Sequence, residues 1–159
     1  MNVFVSDLNA KFSSLEHFVF GVFTKDIRRA AKCNCVLDFT TTDVISLTDL
    51  VSEIQASKFQ TNILLNYSLE NIALIKILKN NRADLNFGLK ISERFILSSV
   101  MSLENSIDFI CLTNLTEKSL ISIKNIRNSS LYKTKIFMID CDESSLEHVE
   151  AVCYLNKSN

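Results

Sequence analysis

Short apolar runs alternate with longer segments of helical spacing over most of the chain. The runs predict five strands, at residues 35–40, 62–67, 86–91, 107–112 and 135–141. Apolar residues at intervals of three and four predict a helix after each strand. These residues are Leu47, Leu50, Val51 and Ile54; Ile72, Ile75 and Leu78; Ile96, Val100 and Leu103; Leu120, Ile123 and Ile126; and Leu146, Val149 and Cys153. The chain therefore reads as five consecutive strand-helix units.

The first 32 residues have a different pattern. Apolar residues from Leu15 to Ile27 recur at helical intervals, and Ser13 with Glu16 three residues later is typical of a capping box. The spacing predicts a helix over residues 14–31. Before it, Val3, Phe4 and Val5 favour a short strand within residues 2–8.

An acidic residue near a small polar one follows each predicted strand. The acids stand at positions 43, 70, 93, 117 and 143, in steps of 27, 23, 24 and 26 residues. Each can cap the start of a helix and interact with the positive end of its dipole. The period is shorter than that of a typical βαβ unit and matches leucine-rich repeats, which run at roughly 20 to 29 residues. We therefore expect an α/β solenoid of parallel strands in sequential order, in one continuous domain, with residues 1–32 as an N-terminal helical cap and 33–159 as five repeats.

Residues 107–120 resemble the cysteine-containing leucine-rich repeat, in which LxLxxC is followed after two residues by ITDxGL. Ile107 and Phe109 match the LxL positions, whereas Leu112 stands where the cysteine is expected and Ser119 where the glycine is. The stretch from 108 to 128 is similar to the factor B (subunit s) family of mitochondrial ATP synthase. This resemblance implies a non-enzymatic accessory subunit of a mitochondrial energy-converting membrane complex.

Composition narrows the possible functions. The chain has 159 residues, of which 47% are hydrophobic and 22% charged, so it should fold around a sizeable core. Its net charge of -1 provides no field that attracts nucleic acid. It contains two glycines and no proline, which removes the glycine-rich loops that most nucleotide sites use. No apolar run is long enough to span a bilayer, and no cleavable signal is visible.

Five cysteines without a disulfide-type framework favour reduced thiols and an intracellular location, mitochondrial if the resemblance holds and cytoplasmic otherwise. Cys33 and Cys35 form a CxC pair that allows a redox or metal role, but structural thiols fit the pattern better because zinc sites take further ligands. His17 and His148 have neither ligand spacing nor a nucleophile partner. We therefore assign no catalytic, cofactor-binding or metal-binding residue and expect no cofactor.

Two groups of charged residues remain. Three aspartates in or beside strands allow an acidic pocket, although solvent-facing strand positions account for them better: Asp38, Asp108 and Asp140. One basic cluster suits the end of the first helix or a docking contact: Arg28, Arg29 and Lys32.

The preferred hypothesis is a non-catalytic interaction or scaffold protein that binds other protein subunits of a larger complex. The alternative is a flavodoxin-like or receiver-like regulatory domain, or a degenerate enzyme of that fold. A thiol or metal protein that uses Cys33 and Cys35 is a third possibility. The receiver version lacks the aspartate after the third strand, which ends Lys90-Ile91-Ser92, and the lysine after the fifth.

Overall fold

A computed structural model describes residues 2–6, 19–91, 106–113, 121, 123–124, 134–140 and 149–155 of the chain. Within these residues, eight segments are β-strands, and each pairs in parallel with the next in sequence. They are β1 Asn2–Val5, β2 Val19–Thr24, β3 Asn34–Asp38, β4 Thr61–Asn66, β5 Asn86–Ile91, β6 Phe109–Thr113, β7 Lys135–Ile139 and β8 Ala151–Tyr154. The last strand also pairs with the first, Asn2 opposite Ala151, so the sheet closes into a barrel.

The predicted leucine-rich-repeat-like solenoid with an N-terminal capping helix is therefore wrong. Parallel strands in sequential order are present, and the five predicted strands correspond to β3 through β7. The first and last strands of a solenoid each keep one unpaired edge, whereas β1 and β8 pair with each other here. The spacing of the strand-helix units could not separate the two folds, because both place parallel strands side by side with a short connection between them.

Two predicted helices overlap strands. In the segment predicted as a helix over 14–31, Val19–Thr24 is β2 and Ile27–Ala31 is a short 3-10 helix, while residues 14–18 lie outside the described part. In the last predicted helix, Ala151–Tyr154 is β8. The segment of β2 contains valine and phenylalanine, and that of β8 contains valine and tyrosine, residues that favour strands. Pairing with the neighbouring strands therefore outweighs the helical spacing of both segments.

Two α-helices connect described strands on the outside of the barrel. The first, α1 (Val44–Glu53), begins after Asp43, whose carboxylate accepts a hydrogen bond from the Ser46 amide at 2.9 Å. The second, α2 (Leu69–Asn81), begins after Ser68, whose hydroxyl accepts from the Asn71 amide at 3.0 Å. The helix starts predicted near positions 43 and 70 are confirmed, and those near 93, 117 and 143 lie outside the described residues. None of the described helices is long and apolar enough to cross a membrane.

Side chains alternate between two cores along each strand. One core lies between the outer face of the barrel and the helices, where Leu37 and Ile63 meet Leu47 and Val51. The other fills the barrel interior, and we call it the plug. The plug consists of Phe4, Phe23, Val36, Leu64, Phe109, Cys111, Phe137, Ile139, Ala151 and Cys153. The middle of the barrel is therefore solid, and inward-facing polar groups are confined to its two ends.

Both glycines of the chain lie on the inner face of the barrel. A Cβ on Gly88 would lie 2.4 Å from ring atoms of Phe109, and a Cβ on Gly21 would lie 2.0 Å from the Asn34 carbonyl oxygen. Because normal carbon contacts are about 3.5 to 4.0 Å, neither site has room for a side chain. Both glycines are required by packing, which leaves none for a phosphate-binding loop.

Candidate functional site

The carboxyl ends of four consecutive strands bring polar side chains to one mouth of the barrel. Each stands two residues after a strand position that faces the interior, so the strand alternation turns it inward as well. We call these four residues the carboxyl-end site. They are Asp38 on β3, Asn66 on β4, Lys90 on β5 and Thr113 on β6.

Pairing between the strands keeps the four residues in phase. Val36 pairs with Asn62 and Asn66 pairs with Lys90, so inward positions lie opposite inward positions. In an eight-stranded parallel barrel the register shifts by about one residue per strand, and inward residues of alternate strands therefore share a level. On this stagger Asp38 and Lys90 lie at the same level, with β4 between them.

A hydrogen-bond network fixes the β3 and β4 side of the site. The Asp38 Oδ1 atom accepts from the Thr40 amide at 3.0 Å and from the Thr40 hydroxyl at 2.6 Å. The Asn66 side-chain amide donates to the Thr40 carbonyl, and the Asn71 side chain donates to the Asn66 carbonyl at 2.7 Å. These bonds tie the strand ends to the start of α2 and hold the Asp38 carboxylate in place.

Lys90 and Asp38 carry opposite charges at the same mouth but do not pair with each other. Two strand spacings separate their backbones by about 9 Å, and no ion pair joins them. Both residues are half-buried. The Lys90 ammonium has no hydrogen-bond or ion-pair partner within the described part of the chain, and neither does the Oδ2 atom of Asp38. Both charged groups therefore have hydrogen-bonding capacity that the described residues do not use.

The CxC cysteines lie away from this mouth. Cys35 is buried on the outer face of β3, and burial, with a smaller contribution from Cys33, raises the pKa of its thiol to about 12. Cys33 is half-buried and donates to the Arg29 carbonyl at 3.6 Å. The described residues contain no group of three or more histidine, cysteine or acidic side chains that could hold a metal ion. A protonated, buried thiol fits the structural role of Cys35.

The three aspartates do not form one pocket. Asp38 and Asp140 lie at carboxyl ends of strands, whereas Asp108 precedes β6 at the opposite end. Asp108 pairs with the Lys79 ammonium at 2.7 Å and accepts from the Phe87 amide at 2.8 Å. Asp140 has a φ of 51° and accepts from the Leu155 amide at 3.1 Å. Asp108 and Asp140 therefore stabilise the connections beside their strands.

The remaining residues considered from the sequence are not near the carboxyl-end site. Arg28 and Arg29 lie in the 3-10 helix, and Arg28 pairs with Asp26 at 2.9 Å. Lys32 follows that helix and is exposed. His17 and His148 lie outside the described residues. The open doubly wound sheet of flavodoxin-like and receiver domains is also absent, because the described strands form a closed ring.

Sequence reasoning missed Lys90, Asn66 and Thr113. Each of these residues follows an inward-facing plug residue or glycine by two positions, and this spacing was the available signal. The spacing identifies inward-facing residues only once the sheet is known to close, because closure turns one face of every strand toward the barrel interior.

No protein family and no curated protein sequence matches the chain. The resemblance to cysteine-containing leucine-rich repeats and to the factor B family is therefore untested, and the solenoid that it implied is not the fold of this protein.

Proposed function

We propose that this protein is a non-catalytic, small-molecule-binding barrel that holds a polar, negatively charged ligand at the carboxyl-end site. One observation carries the proposal: Lys90 and Asp38 face the same mouth without neutralising each other. Closed parallel barrels place their ligand sites at this end in the enzymes that share the architecture, which supports the choice of end by analogy.

Electrostatics favour an anion beside Lys90. A half-buried ammonium group without a counter-ion loses hydration and gains nothing in return. A carboxylate or phosphate of a ligand would supply the missing partner through charge-assisted hydrogen bonds, which contribute about 1.5 to 3 kcal/mol each. The Asp38 carboxylate would accept a hydrogen bond from a hydroxyl or amine of the same molecule. The expected ligand therefore carries both an anionic group and a donor.

Packing also limits the class of ligand. The plug closes the barrel directly below the site, so the ligand lies in the mouth and does not enter the interior. Both glycines are engaged in packing, so the backbone cradle that nucleotide phosphates usually occupy has no glycine to form it. These features favour a small metabolite-sized anion over a nucleotide.

The test is a thermal-shift and calorimetric comparison with L-malate, L-glutamate and glycerol 3-phosphate. At a ligand concentration of about 100 Kd, binding adds about 2.7 kcal/mol of stability, which in a chain of this size corresponds to a rise in Tm of about 5 to 10 °C. Lys90→Met should reduce the shift. The matched control Lys32→Met removes the same charge at an exposed position before the amino end of β3 and should preserve the shift. Equal binding by the Lys90→Met protein, or no response to any of the probes, would refute the proposal.

A second candidate, docking on a protein partner, is supported by α2. This helix buries Ile75 and Leu78 against the barrel, yet Leu69 is 81% exposed and Ile77 is 60% exposed. With the exposed Ala73, these residues form an apolar stripe at intervals of four on the outer side of the helix. An exposed apolar stripe of this kind supports α2 as a surface that docks on a protein partner.

The docking candidate makes a separate prediction. Covalent cross-linking in the native source should give defined adducts with the wild-type chain, and Leu69→Ser/Ile77→Ser should lose them without a fall in Tm. Adducts that persist unchanged in the double variant would remove α2 as the docking surface.

A further inference from the structure

The opposite end of the barrel contains a cavity of about 320 Å³. It lies at the amino ends of β4 through β7, below the plug, and the rings of Phe109 and Phe137 form its apolar floor. Its polar walls come from Gln60, Asn86 and Lys135. Pockets that bind small ligands typically measure about 300 to 1,000 Å³ and combine apolar surface with a few convergent polar groups. The cavity meets both conditions at the lower end of the size range.

Hydrogen bonds fix the orientation of the amide on the cavity wall. The Cys35 carbonyl can only accept, so the Asn62 side chain must donate to it with its nitrogen, at 3.1 Å. The Asn62 oxygen then accepts from the Asn86 nitrogen at 3.2 Å. This sequence of bonds leaves the Asn86 Oδ1 atom as an acceptor with no donor in the described part of the chain. The cavity therefore contains a preoriented acceptor.

The charged side chains among the described lining residues of the cavity are Asp108 and Lys135. Asp108 lies on its wall, but the Lys79 ammonium neutralises it at 2.7 Å, and Lys79 also donates to the Leu85 carbonyl at 2.8 Å. Lys135 has no ion-pair partner among the described residues. Among the described residues that line the cavity, Lys135 is therefore the charged side chain without an ion-pair partner, and it favours an anion.

We propose that this amino-end cavity is a second ligand site, which binds a small hydroxylated carboxylate. The carboxylate pairs with Lys135, and the hydroxyl donates to Asn86 Oδ1. The plug separates this cavity from the carboxyl-end site, so the inference does not depend on the function proposed above.

The experiment is an amide-resolved NMR titration of the full chain with L-malate and with succinate, which differ by one hydroxyl. L-Malate should shift the amide signals of Asn86, Asp108 and Lys135 in a saturable way. Lys135→Met, at an exposed position that folding does not need, should weaken the binding of both acids by about tenfold, as expected for the loss of one charge-assisted hydrogen bond. Added salt should weaken it as well.

The hydroxyl contact has its own readout. The wild-type protein should prefer L-malate over succinate, and Asn86→Ala should bind the two acids equally. Lys32→Met is the control, because it removes a charge at an exposed position outside both sites and should leave these affinities unchanged. Signal changes confined to the carboxyl end, or equal affinities in the wild-type and Lys135→Met proteins, would overturn the second site and leave the first standing.

Discussion

Replacing Gly88 by alanine tests the interior of the barrel directly. The added methyl group would lie 2.4 Å from three ring atoms of Phe109. That ring cannot move aside easily, because it is 1% exposed and stacks on Phe137 with centroids 4.3 Å apart. Overpacking of a filled core costs about 1 to 3 kcal/mol, and a contact this short places the cost near the upper value. We expect Gly88→Ala to lower the Tm by about 6 to 12 °C.

A double-mutant cycle in urea identifies the cause of that loss. Phe109→Leu makes room beside Gly88, so the double variant should be more stable than the sum of the single effects by about 1 to 2 kcal/mol. Gly21→Ala is the control, because its methyl group would meet the Asn34 carbonyl oxygen of the backbone, which Phe109→Leu does not relieve. A Gly88→Ala protein within about 0.5 kcal/mol of wild type, or strict additivity with Phe109→Leu, would show that the Phe109 ring of the neighbouring strand β6 does not pack over Gly88.

Three further predictions concern residues outside the barrel interior. Ile75 is fully buried and Ile77 is 60% exposed. Ile75→Ala should therefore lower the free energy of unfolding in urea by about 2 to 5 kcal/mol, whereas Ile77→Ala should leave it within about 0.5 kcal/mol of the wild-type value. Similar losses in the two variants would contradict the orientation of α2. The hydrogen bond from Arg82 lowers the pKa of Asp84, so its stabilisation exists above the unfolded pKa near about 4 and is lost as the pH falls through the folded value. Asp84→Asn should therefore flatten the loss of stability below about pH 4, and an unchanged slope in acid denaturation would count against the pair. Burial raises the pKa of the Cys35 thiol to about 12, so iodoacetamide at pH 8 should modify Cys35 only in urea, as peptide mass mapping will show; modification in the native protein would place Cys35 at the surface.

Local features of the fold could be predicted from the sequence. Short apolar runs located β3 through β7, and Asp43 and Ser68 marked two helix starts, because capping depends on residues only three positions apart. The segments that became β2 and β8 could not be assigned in this way. Val22 and Phe23 fit a helical stripe and a strand equally, and only pairing with β1 and β3 decides between them.

The candidate sites depend on closure of the sheet, which is a non-local property. Lys90 and Lys135 are ordinary strand residues in the sequence, and their meaning comes from facing opposite mouths of one ring. The amides of the amino-end cavity had a visible signal, since Asn62 and Asn86 both lie near the start of a strand, on two successive strands. Without knowledge of a shared interior, nothing indicated that these asparagines lie near one another.

Pairing between β1 and β8 makes closure of the ring depend on strands from opposite ends of the described chain. A nascent chain cannot seal the ring until residues 151–154 have left the ribosome, and until then it presents two unsatisfied strand edges that can template aggregation. The same pairing brings residue 2 beside residue 151. A circularly permuted chain that is joined there by a short linker and opened between two central units should therefore refold to the same ring.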